Sequence, residues 1–134
     1  MRAKAMPTTT PRYAITPYER RHRSAVLDLL FRSNRVHTHL DWHDTPAWLE
    51  NDDITLRLAW NNGDSRLAGI MAASAPQNVM CWLRLVAVMN DFPGMPVLSV
   101  LWDDMRKQLR AQAVETVNVL IINDWLESYV ADLG

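Results

Sequence analysis

Two stretches of this sequence place chemistry-bearing side chains at close spacing. The first is His37-x-His39-x-Asp41-x-His43-Asp44. Imidazole and carboxylate are good ligands for zinc or non-haem iron, and the same groups can accept a proton. The spacing matches no strong metal motif, and His-x-His can equally lie along one face of a strand, so no metal is expected. His39, Asp41 and His43 remain as candidate polar contacts to a bound molecule. The plain alternative is a polar loop packed by Trp42 and Trp48. The second stretch runs from Val88 to Leu101, where an apolar run gives way through Asn90-Asp91-Phe92-Pro93-Gly94 to an amphipathic pattern. A strand-loop-helix junction sets free backbone N–H groups and the positive end of a helix dipole at a strand's C-terminal edge, which suits a phosphate. Val88, Met89, Gly94, Val97 and Ser99 are the candidate cofactor contacts there.

These segments must be held by a scaffold. The chain has 134 residues, enough for one domain with a single core, and is 49% hydrophobic and 22% charged. Residues 1–11 read as a flexible tail without the apolar run of a signal peptide, and 12–134 as the domain. The net charge of −1 gives no argument for nucleic acid. The charges are unevenly placed, with Arg2, Lys4, Arg12, Arg20, Arg21, Arg23, Arg32 and Arg35 early in the chain against Glu19 and Asp28. A basic amino-terminal third could face a polyanion, or simply be a solvated face with a tail. No apolar stretch reaches the ~18 residues that span a bilayer. The one cysteine, Cys81, lies in an apolar run, which fits a reducing compartment, and the cytoplasm is the default location.

Tyr13 to Ile15 reads as a first strand. Thr16-Pro17-Tyr18-Glu19 has the residues of a helix start, with Thr16 as cap and Glu19 closing a capping box. The helix places Val26, Leu29 and Leu30 on one side and ends near Asn34; residues 35–44 follow as a histidine-rich loop. Thr45-Pro46 opens a short second helix. Ile54 to Trp60 and Arg66 to Ser74 are strands joined by Asn61-Asn62-Gly63-Asp64, residues that tolerate positive φ in a hairpin; Gly69 marks a bulge or close contact. Val79 to Met89 is the longest strand, apolar enough to be buried on both faces, with Arg84 its one charge. Pro96 to Gln112 is a helix with Val97, Leu101, Met105 and Leu109 on one stripe. Thr116 to Ile122 is a further strand, and Asn123-Asp124 caps a last helix. The six tryptophans belong mostly to the core or its rim, with Trp125 the one left most open; the seven methionines are dispersed and read as adaptable packing.

That element order resembles the GNAT family, the acetyl-CoA-dependent N-acetyltransferases, from Tyr13 to Gly134. The resemblance rests on Val88 to Leu101, with Asp91-Phe92-Pro93-Gly94 where the family often has aspartate, aromatic, arginine and glycine, and on Asn123 to Gly134 with its Leu133-Gly134 ending. It implies an α/β fold, one twisted mixed sheet with helices on both faces, in which the fourth and fifth family strands splay and hold acetyl-CoA in the gap. It also implies acyl transfer to a small amine acceptor, with the loop that carries His39, Asp41 and His43 lining the acceptor side as its substrate contacts. The family's pyrophosphate signature falls on Pro93, Pro96 and Leu98, all substituted. Proline has no N–H to donate, and each lost charge-assisted hydrogen bond is worth about 1.5–3 kcal/mol. Acetyl-CoA binding is therefore expected to be weak or lost, and a non-catalytic interaction module is the alternative function. The family's catalytic tyrosine falls on Val130, with Tyr129 about 100° round the helix, so no catalytic residue is assigned. By the same resemblance the domain stops before the family's last two strands. The strand from Val117 to Ile122 would keep an open apolar edge, to be covered by a missing C-terminal segment or by a second copy in a homodimer.

Overall fold

The computed structural model describes residues 12–38, 45–121 and 125–133. The strands are β1 (Tyr13–Pro17), β2 (Arg35–Thr38), β3 (Thr55–Asn61), β4 (Leu67–Ala73), β5 (Met80–Val88) and β6 (Thr116–Val119). The helices are α1 (Arg23–Arg32), α2 (Thr45–Leu49), α3 (Gly94–Ala111) and α4 (Glu127–Leu133). The strands form one mixed sheet in the order β1-β3-β4-β5-β2, with β6 also joined to β5. All pairings are antiparallel except β5 with β6, which is parallel. The expected α/β architecture, a mixed sheet with helices on both faces, is what the chain adopts.

Alternation along β3, β4 and β5 divides the core. Ala68, Met71, Ala73, Leu83, Val86 and Val88 face α3, where they meet Val97, Leu98, Leu101, Met105 and Leu109. Leu58, Ile70, Ala72, Leu85 and Ala87 face the other way, onto Val26 and Leu29 of α1 and Trp48 and Leu49 of α2. The α3 stripe lies as the 3.6-residue period predicts, and each fully buried large side chain contributes about 1.5–3 kcal/mol. Arg57 of β3 donates to Asp104 of α3 at 2.5 Å, a partly covered ion pair that fixes the helix along the sheet. Helix α3 starts at Gly94, two residues before Pro96, with Pro93 at the capping position. It ends in a Schellman motif: the Val114 amide donates to Leu109 and the Ala113 amide to Arg110, both at 3.0 Å, with Ala113 at φ 64°.

Several sequence expectations are corrected. Thr16 does not cap a helix; it stays in β1 opposite Leu58 and accepts a hydrogen bond from the Trp60 indole at 2.9 Å. Pairing with β3 carries the strand through Pro17. The capping box forms three residues later, between Glu19 and His22, over a turn of 3-10 helix at Arg20–His22. The segment read as a loop from residue 35 begins as strand β2. The last strand, expected from Thr116 to Ile122, is among the described residues paired from Thr116 to Val119 and mostly half-buried there; Ile122 lies outside the described residues. Trp125 is half-buried, its ring edge-on to Tyr129 at 5.9 Å. In the β3–β4 hairpin the positive φ falls on Ser65, at 59°. Gly69 does make the close contact expected of it: a Cβ there would lie 2.6 Å from Val97 Cγ1 and 2.9 Å from the Ala87 carbonyl oxygen.

Candidate functional site

The site is organised by one irregularity in β5. Ala72 pairs with Leu85 and Ala73 with Leu83, so Arg84 is skipped. Leu83 and Leu85 therefore point to opposite faces although two positions apart. A bulge of this kind bends its strand and raises the local twist. Before the bulge, Met80 to Leu83 pair with Thr116 to Val119 of β6. After it, β5 turns away from β6, and its free edge from Leu85 to Val88 is taken by Thr38 to Arg35 of β2. One edge of one strand thus has a parallel partner on one side of Arg84 and an antiparallel partner on the other.

The loop that follows β5 leads into α3 and is clamped by two arginines. From inside, Arg35 donates to the carbonyls of Met89 at 2.6 Å, Asn90 at 3.3 Å and Phe92. From outside, Arg66 bonds Asp91 at 2.7 Å and lies 5.1 Å over the Phe92 ring, which meets Tyr13 edge-on. The Arg66 guanidinium holds the Asp91 carboxyl below its ordinary range. The Ser33 hydroxyl donates to the Val88 carbonyl at 2.5 Å, and Asn90 accepts from the Asn34 amide at 2.9 Å. Gly94 is buried at the first turn of α3. A Cβ on it would meet the Tyr129 hydroxyl at 2.8 Å and Arg35 at 3.0 Å. A guanidinium beside a helix N-terminus is opposed by the helix dipole; the three carbonyls turned onto it offset that.

Of the candidate cofactor contacts, Val88, Met89 and Gly94 come together here around Arg35. Val97 sends its side chain into the core, fully buried, and Ser99 is half-buried further along α3. The first turn of a helix leaves its N–H groups without an intrahelical partner. Proline at 93 and 96 removes two of those donors, and the amides of Gly94 and Met95 remain. His39, Asp41 and His43 lie outside the described residues. His37, from the same cluster, is buried in β2 opposite Val86. Among the described residues no group of His, Cys, Asp or Glu is arranged to hold a metal ion. Sequence reasoning missed Arg35 and the bulge at Arg84. The polar-apolar alternation of Arg35-Val36-His37-Thr38, with β-branched Val and Thr, is a short-strand signal; an all-apolar run around Arg84 hides a bulge.

No protein-family model matches the sequence, and no curated protein matches it either. Solved structures do. The ribosomal-protein-S18-alanine N-acetyltransferase of Escherichia coli superposes with a TM-score of 0.72 at 17% identity, over 91% of this chain and 76% of that one. An acetyltransferase of the GNAT family from Staphylococcus aureus Mu50 gives 0.69 at 15% identity, over 89% and 80%. The aminoglycoside acetyltransferase AAC(6')-Iy, solved with a CoA-containing bisubstrate analogue, gives 0.67 at 15% identity, over 91% and 89%. The chain has the GNAT acetyltransferase fold, at a sequence distance that makes it a divergent example. No helix among the described residues is long and apolar enough to cross a membrane.

Proposed function

We propose that this GNAT-fold domain takes acetyl-CoA weakly in the gap between β5 and β6 and transfers the acetyl group to a small amine. The observation that carries the reading is the β5–α3–β6 unit itself. Two parallel strands pair only up to the bulge at Arg84 and then diverge, with the start of a long helix at the mouth of the gap. Met89 and the amides of Gly94 and Met95 would meet the phosphates, and Ser99 offers a hydroxyl further along the helix. Val88 lines the gap, and His39, Asp41 and His43 are assigned to the acceptor side. When bound, the cofactor supplies a thioester. An amine would take the acetyl group through a new nitrogen–carbon bond as the carbon–sulfur bond breaks, its proton leaving with the thiol. The chain's part is to position the reactants and to stabilise the developing oxyanion with backbone N–H groups beside the bulge.

Isothermal titration with acetyl-CoA tests this. The expected dissociation constant is in the high micromolar range or weaker, because only two amide donors remain at the start of α3. Release of free thiol on adding an amine completes the test. Low-micromolar binding refutes the placement of the loop; absence of binding at millimolar acetyl-CoA, by the wild type and by a folded variant with β2 disrupted, refutes the cofactor reading. A second reading is favoured by the outer edge of β6, which has no strand partner among the described residues while Leu120 is 40% exposed. There the domain is a non-catalytic module that dimerises through β6. Light scattering on the wild type and Ile121→Lys decides it, the variant being monomeric if the edge is the contact.

A further inference from the structure

We propose that β2 is a removable occupant of the cofactor gap, so that pairing of β2 with β5 and binding of an acyl-CoA exclude each other. The inference rests on the acetyl-CoA reading above and adds its regulation.

The gap begins where β5 leaves β6, at Arg84. From Leu85 to Val88 the edge that faces the gap is fully paired with Thr38 to Arg35. The occupant is also tied at its upstream end. Ser33 holds the Val88 carbonyl, Asn34 holds the Asn90 side chain, and Arg35 gathers the carbonyls of Met89, Asn90 and Phe92. His37 is 3% exposed, so the segment is seated in the sheet and does not lie over it. The arm of coenzyme A that links the thiol to the phosphates carries two secondary amides. Such an arm is peptide-like and suits an unpaired strand edge, where main-chain hydrogen bonds supply affinity. The same backbone groups cannot serve β2 and this arm together.

The occupant is also one of the two shortest strands of the sheet, both at its edge. It is four residues long and terminal in the strand order. Short edge elements open locally at a fraction of the global unfolding free energy. If only a small fraction of molecules has β2 released, the apparent affinity falls by that fraction. Weak binding then has two separable sources, the lost amide donors at Pro93 and Pro96 and the occupancy of the gap. Only the second is relieved by disrupting β2.

Hydrogen exchange on the wild-type chain, with and without millimolar acetyl-CoA, tests the exclusion directly. The expected result is at least tenfold faster exchange of the amides at 35–38 with cofactor present, and unchanged exchange in β3 and β4. In parallel, His37→Pro, which removes the β2 amide that faces Val86 of β5, should bind acetyl-CoA at least tenfold more tightly than wild type. Binding detected only in that variant supports the proposal equally. Binding by the wild type with β2 protection unchanged or increased overturns the exclusion and leaves the acetyl-CoA reading standing. No binding by either the wild type or a folded His37→Pro overturns both. Should His37→Pro fail to fold, Arg35→Gln, which gives up the clamp on the loop carbonyls, takes its place, and the wild-type exchange result decides.

Discussion

Gly69 offers the most direct test of how α3 is seated on the sheet. A Cβ built on it would lie 2.6 Å from Val97 Cγ1, 2.9 Å from the Ala87 carbonyl oxygen and 3.3 Å from Leu101 Cδ1. Val97 and Leu101 are fully buried, and Ala87 is inside β5, so there is no empty volume to absorb a methyl. Gly69→Ala must lift α3 or distort β4, at about 1–3 kcal/mol for an overpacked core. For a domain of this size that is roughly a 5–15 °C fall in Tm. Val97→Ala alone leaves a cavity and costs about 1–3 kcal/mol. The two changes share one collision, since the shortest contact is with the Val97 side chain. Gly69→Ala with Val97→Ala should therefore be less destabilised than the sum by about 1 kcal/mol or more, a coupling of the size found for contacting residues. Urea unfolding of the four proteins at one temperature closes the cycle. Wild-type stability of Gly69→Ala, or simple additivity of the pair, would refute this account of the β4–α3 contact.

Three further outcomes are expected. Burial and the 2.5 Å hydrogen bond to Glu50 raise the Tyr18 phenol to about 12, so the folded state favours the neutral phenol. Its contribution is full below the unfolded value near 10 and is lost as pH rises toward about 12; ultraviolet titration should show a late tyrosine that Tyr18→Phe removes. Ala113 occupies a left-handed position that glycine fills without strain, so Ala113→Gly should raise stability by about 1 kcal/mol, read as a higher urea midpoint. Cys81 is buried and its thiol is pushed up by desolvation; it should react with a thiol reagent far more slowly in the native protein than in denaturant.

The sequence made the face of α3 legible because an apolar stripe at Val97, Leu101, Met105 and Leu109 has one reading. The β3–β4–β5 meander was legible because its turns carry Asn, Gly and Pro between apolar runs. The start of the first helix was misread at Thr16, since a local cap competes with a strand partner more than 40 positions away. Strand β2 was hidden because four residues give almost no periodicity, and its existence depends on a bulge in β5. That bulge was invisible because Cys81, Leu83, Leu85, Val86, Ala87 and Val88 suit either face. At the site, the junction after β5 could be located from Val88 to Ser99. The clamp by Arg35 could not, because it joins residues 54 positions apart.

The division of the β5 edge also orders the folding of the chain. Strands β3, β4 and β5 close through short turns, and with α3 they hold most of the buried apolar surface. Docking β2 requires closing a loop of more than 45 residues, roughly 2 kcal/mol costlier in chain entropy than a hairpin turn. It adds four residues of ladder in return. The meander with α3 is therefore the expected nucleus, and β2 the late arrival. Truncations such as Ile70→Val and Leu85→Ala should slow refolding, with φ-values well above zero. Val36→Ala should leave the refolding rate nearly unchanged and act on unfolding alone. The nascent domain thus passes through a state in which the sheet is built and the edge from Leu85 to Val88 is still without a neighbour.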